Sequence, residues 1–136
     1  MKFKGDIIIT DPCYIIDDEV NPNDWDKCNY GENMEILGIK TYLTRSTKYG
    51  DWSCTTFKKQ DNSVLGNFCA DAGLVSVFLL DEVLKYNPNF DYHVNKKRTT
   101  TLIENFDGEI NIEFINNKVQ VIGNGNIDFY TKQTGM

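Results

Sequence analysis

The chain has 136 residues, of which 40% are hydrophobic, 25% charged and 12% aromatic, and its formal net charge is −6. That length predicts one domain, 1–136, able to bury a core of its own. The spread of aromatic and β-branched residues excludes disorder, and 14 basic against 20 acidic side chains exclude a general DNA or RNA binder.

Residues 5–10 read as a buried strand, because Ile7-Ile8-Ile9 is a continuous β-branched run. Only these three isoleucines follow Met1-Lys2-Phe3-Lys4, too few for an export-signal core, and no apolar stretch approaches the ~20 residues that span a bilayer. The expectation is a cytoplasmic protein with no membrane role. Cys13, Cys28, Cys54 and Cys69 are then free thiols rather than two bridges.

Pro12 cannot donate to a strand ladder, so pairing should halt there, with Tyr14-Ile15-Ile16 resuming an extended run. The acidic runs Asp17-Asp18-Glu19 and Asp24-Trp25-Asp26 read as solvated faces. Asn21-Pro22 has the form of a helix start, predicting a short helix through Trp25 and Cys28 that ends near Gly31. Residues 39–47 are extended, with Thr41, Leu43, Arg45 and Thr47 on one face. Lys48-Tyr49-Gly50-Asp51 is a turn before a second strand over 52–57, and Asp61-Asn62 turns the polar loop 58–63.

Residues 64–68 and 74–80 are the most apolar stretches, separated by Asp71-Ala72-Gly73. Asp81 is placed to cap a second short helix around Val83, ended by Asn87-Pro88-Asn89, and 90–98 is a polar loop with the single histidine, His93. Four strand-like runs follow, at 99–106, 109–115, 118–122 and 127–131. Asp107-Gly108, Asn116-Asn117 and Gly123-Asn124-Gly125 divide them as hairpin turns, predicting an antiparallel meander. The fold expected is mainly β, an antiparallel barrel or sandwich of eight or nine strands with a C-terminal meander and two short helices. A meander leaves an edge to protect, so association of a second copy through an edge strand is expected.

Chemistry-bearing residues are sparse. Asp11-Pro12-Cys13-Tyr14, Tyr49-Gly50-Asp51-Trp52 and Asp71-Ala72-Gly73 each sit where an apolar or β-branched run starts or stops. Asp before Pro and Asp beside Gly cap turns through nearby N–H groups, so Asp11, Asp51 and Asp71 read as a shared turn framework. Their spacings match no metal-loop signature, and neither a metal nor a cofactor is expected. Tyr14, Trp25, Tyr49 and Trp52 lie near these turns; core or rim packing accounts for them, and the functional reading is an aromatic platform for a base, with Arg45, Lys48 and Arg98 available to phosphate. The ligand-binding set is therefore Tyr14, Arg45, Lys48, Tyr49, Asp51, Trp52 and Arg98, with Tyr49 and Trp52 as exposed readers. Cys13 with His93 would supply the parts of a thiol nucleophile site, yet a small buried Cys and a loop His explain the pair as well. Lys96-Lys97-Arg98 reads as a solvated loop. Gly123-Asn124-Gly125-Asn126 lacks the Lys-Ser/Thr and helix of a phosphate loop.

The order Asp-Pro-Cys-Tyr, Thr-x-Tyr-Gly-Asp, Asp-Ala-Gly-Leu over residues 5–86 resembles a group of small uncharacterised bacterial and phage proteins. That group carries Asp-Pro-Cys-Tyr, Tyr-Gly-Asp-Gly and Val-Asp-Ala-Gly segments. Trp52 stands here in place of the group's Gly, and Ala70 in place of its Val. The resemblance implies a bacterial or phage cytoplasmic setting and brings no activity with it. The function expected is a non-catalytic binding protein, a phage-encoded inhibitor or sponge whose partner is a host protein or a small nucleotide. The alternative is a small hydrolase working through Asp11, Asp51 and Asp71, with or without the help of a metal ion, or through Cys13 as nucleophile.

Overall fold

The structure, a computed structural model, describes residues 1–15, 39, 41–47, 52–70, 73–90 and 99–135. The helix expected around Trp25, the turn at 48–51, Asp71, and the loop carrying His93 and Arg98 lie outside the described residues.

Among the described residues eight strands form one antiparallel sheet. They are β1 (Lys2–Thr10), β2 (Tyr42–Ser46), β3 (Ser53–Lys58), β4 (Val64–Cys69), β5 (Leu74–Leu79), β6 (Thr100–Ile115), β7 (Lys118–Gly125) and β8 (Phe129–Gly135). Their order across the sheet is β2-β5-β1-β6-β7-β8-β3-β4. The expected barrel is corrected: β2 and β4 stand at opposite ends of this order, and the sheet does not close. It does curl, bringing its β3–β4 end over the face of β6. There the buried Thr56 and Thr101 hydroxyls lie 3.0 Å apart, and a Cβ on Gly66 would sit 3.1 Å from Thr101 Oγ1.

Alternation along β1 shows why the isoleucine run is continuous. Ile7 and Ile9 point into the curl with Phe3, Phe68, Val75, Val77, Phe106 and Phe129. Ile8 points the other way, into a second cluster with Ile15, Leu74, Phe78, Leu80, Val83 and Phe90. A strand covered on both faces has no polar side to show. The outer cover is the helix α1 (Leu80–Tyr86), which buries Leu80 and Val83. Among the described residues no helix is long and apolar enough to cross a membrane.

Asp81 does not cap that helix. The N-cap is Leu79, the last residue of β5, and Asp81 and Glu82 stand in the first turn, where negative charge suits the helix dipole. Strand runs into helix with no linker, so there is no room for an Asx cap. The helix ends as expected at Asn87, whose side-chain amide donates to the Ile15 carbonyl at 2.8 Å. Tyr14-Ile15 is likewise corrected from strand: Pro12–Tyr14 is a 3-10 turn.

The meander survives with shifted turns. Asp107-Gly108 is no turn. Residues 100–115 run as one strand, pairing first with β1 and then with β7, Gly108 lying opposite both Phe3 and Gly125. A Cβ on Gly108 would collide with the Asn124 carbonyl, so this glycine serves close backbone approach. Gly123 and Gly125 similarly lie within β7, and the turn moves to residues 126–128. A Cβ on Gly123 would strike the Phe129 ring, which covers it from β8. Asn116-Asn117 does turn as expected, at φ 53° and 63°, and Asn62 turns the β3–β4 loop at φ 58°.

Candidate functional site

Asp11 follows β1 directly and is wholly buried. Its Oδ1 accepts from the Cys13 N–H at 2.9 Å, capping the 3-10 turn that Pro12 begins. Its Oδ2 accepts from the Leu74 N–H at 3.2 Å, 63 residues along the chain. The first and third Asp segments are thus tied through one carboxylate. The Thr47 N–H donates to the Gly73 carbonyl at 2.8 Å, and the Ala70 N–H donates to the Trp52 carbonyl at 2.8 Å. Residues flanking the second segment are therefore bonded to residues flanking the third. Asp51 and Asp71 themselves lie outside the described residues.

Buried threonines continue the knot. The Thr10 hydroxyl donates to the Thr99 carbonyl at 3.0 Å and accepts from the Thr100 hydroxyl at 3.2 Å. Every bond here fixes chain entry or exit at the end of the β1–β5 pair. Buried polar groups held in this way position backbone, and a carboxylate with both oxygens accepting from main-chain N–H groups is a bracket rather than a free base.

The expected ligand-binding residues separate. Tyr14 is half-buried against the outer cluster. Arg45 is half-buried on β2, with its guanidinium carbon 5.8 Å from the Phe114 ring centroid, a cation–π contact across the curl. Trp52 is 7% exposed and belongs to the inner core. Its role as an exposed reader is corrected: the indole is what fills the end of the curl beside Cys54 and Ala70. Lys48, Tyr49, Asp51 and Arg98 fall outside the described residues.

Cys13 is half-buried, and its N–H is the group that Asp11 caps. Cys54 is buried beside Cys69 on the β3–β4 pair. Burial, and then the neighbouring Cys69, push its thiol up to about 12, so it is an inert thiol near neutrality. Among the described residues Cys13, Cys54 and Cys69 form no disulfide. Among the described residues no three His, Cys, Asp or Glu side chains are placed to hold a metal ion.

A concave site absent from the sequence reading opens between β7 and β8. These strands pair only at Ile122↔Tyr130 and Gly123↔Phe129, because β8 then follows β3 while β7 follows β6. The next bond across the seam runs to a side chain, the Val121 N–H donating to Thr131 Oγ1 at 2.8 Å. Beyond it lies a cleft of about 220 Å³ with Lys118, Val119 and Gln120 on one wall and Thr131, Lys132 and Gln133 on the other. Neither lysine has an ion pair or a side-chain hydrogen bond among the described residues. The buried Oε1 of Gln133 accepts no hydrogen bond. Strand alternation could have flagged these residues as a surface. Only the divergence of the two strands makes them a cleft.

Comparison with protein-family models, curated proteins and solved structures finds no match to this chain.

Proposed function

We propose that this chain is a small non-catalytic binding protein, an inhibitor or sponge encoded by a phage and directed at a host nucleotide signal or a host enzyme. The observation that carries the reading is the β7–β8 cleft, lined from its two strands by lysines that have no acidic partner among the described residues, on a chain of net charge −6. Convergent polar groups on a concave surface are the mark of a binding site. The state of Asp11 supports the non-catalytic half: its carboxylate is buried and engaged by two backbone N–H groups, leaving it poorly placed to activate water.

Thermal unfolding of the purified chain against a panel of host nucleotides, with host-lysate capture followed by reconstitution from purified components, tests the reading. A ligand at about 100 times its Kd stabilises the fold by about 2.7 kcal/mol, a readily measured rise in Tm. Stabilisation by a nucleotide without its turnover, or a reconstituted stoichiometric complex, is the expected result. No stabilisation and no complex, or multiple turnover of a ligand, would overturn it.

A further inference from the structure

We propose that the β7–β8 cleft binds a nucleoside monophosphate, its phosphate between Lys118 and Lys132 and its base edge against Val119 and Gln133. This rests on the binding-protein reading above and assigns its site and ligand class.

Four observations lead there. The first is charge. A phosphomonoester carries about −1.5 to −2 near neutrality, which two ammonium groups balance. Lys118 and Lys132 are both exposed, on facing walls, and among the described residues no carboxylate pairs with either. The nearest acid in the ladder, Glu113, pairs in register with Gln120 rather than with a lysine.

The second is an open backbone edge. The Val121 N–H points across the seam to Thr131, and residues two apart on a strand point the same way. The N–H and C=O of Val119 therefore face the cleft, where no β8 residue pairs with them. One donor beside one acceptor is the pattern a nucleobase edge can meet.

The third is the buried Gln133 Oε1, which accepts no hydrogen bond. A buried acceptor without a donor costs free energy, and rotation of this partly exposed, cleft-lining side chain would bring its amide to a base amino or imino group that supplies the donor. The fourth is Ile115, 44% exposed at the mouth and, among the described residues, one of three large hydrophobic side chains so exposed. It offers an apolar ledge to the flat face of a base. A volume of about 220 Å³ lies below the ~300–1,000 Å³ of drug-sized sites, so one nucleotide fits better than a longer ligand.

Isothermal titration of the full chain with AMP, GMP, CMP, UMP and inorganic phosphate tests the proposal, alongside K118E, K132E and Q133L variants. The two lysines are on the surface, so their variants should keep the wild-type Tm. At least one monophosphate should bind, with each Lys→Glu change weakening it by about tenfold or more and Q133L changing the ranking among bases. Phosphate alone should bind about tenfold or more weakly than the nucleotide. Binding of phosphate as tight as the nucleotide would overturn the base contact. Nucleotide binding indifferent to both lysine variants would overturn the cleft while leaving the binding-protein reading intact. A panel without any binding, joined to a stoichiometric protein complex, would overturn the ligand class alone. If neither nucleotide nor protein binds, both proposals fail.

Discussion

Replacing Asp11 with Ala should be among the most damaging single changes in the described fold. The carboxylate has no solvent exposure, and it accepts at 2.9 Å from the Cys13 N–H and at 3.2 Å from the Leu74 N–H. A hydrogen bond to a charged acceptor contributes about 1.5–3 kcal/mol, and a buried donor left without one incurs its full desolvation cost. Two such donors put the loss in D11A at about 3–6 kcal/mol, a large part of the ~5–15 kcal/mol that holds a domain together. D11N should fall between. Its amide oxygen can keep one N–H, while its NH₂ faces the other as donor against donor, for a loss of roughly half that of D11A. Urea unfolding at fixed pH reads both. With a slope of about 1–3 kcal/mol per molar urea, D11A should lower the midpoint by about 2 M with little change in slope. A D11A midpoint within about 0.5 M of wild type would refute the bracket argument. So would a D11N variant as stable as the native chain.

Two further tests address packing and titration. G123A should destabilise by about 2–3 kcal/mol, because the added methyl meets a Phe129 ring that is itself 1% exposed and cannot step aside. In an F129A background the same change should cost about 1 kcal/mol less, and strict additivity in the double-mutant cycle would contradict the contact. Cys54 should resist a thiol reagent at pH 8 in the folded chain and react on unfolding. Its thiol is raised to about 12 by burial and by Cys69, so the fold favours the protonated form. That contribution is complete below the ordinary value of 9.0 and is lost as pH climbs from there toward about 12. Midpoints of C54V should therefore decline less steeply across that alkaline window, and parallel declines would refute the assignment.

What the sequence disclosed was local. The double-sided burial of Ile7-Ile8-Ile9 is legible because continuous β-branched runs have few other uses, and the Asn116-Asn117 hairpin because both residues must take positive φ. Asp107-Gly108 misled because a glycine that lets two backbones meet looks the same as one that lets a chain turn. The partner that decides the matter, Asn124, is set by pairing across the sheet. The order placing β3 beside β8 has no local signal. At the site, spacing hinted that the Asp segments belong together, but the bond from Leu74 to Asp11 is a tertiary fact. The cleft was invisible because it exists where two strands stop pairing, and an unformed ladder leaves no trace in composition. Trp52 looked like a surface aromatic beside a turn; burial by β4 and the end of the curl decided otherwise.

The position of β1 bears on how the chain survives its own synthesis. Its neighbours, β5 and β6, begin at Leu74 and Thr100. At about 5–20 residues per second, the Ile7-Ile8-Ile9 run waits roughly 3–14 s on the ribosome before either partner exists. An apolar β-branched strand without partners is a template for the wrong chain. Lys2 and Lys4 on one side, and Asp11 and Pro12 on the other, stand as charged and non-pairing sentries around it. Removing them should lower soluble yield before it lowers the stability of whatever folds.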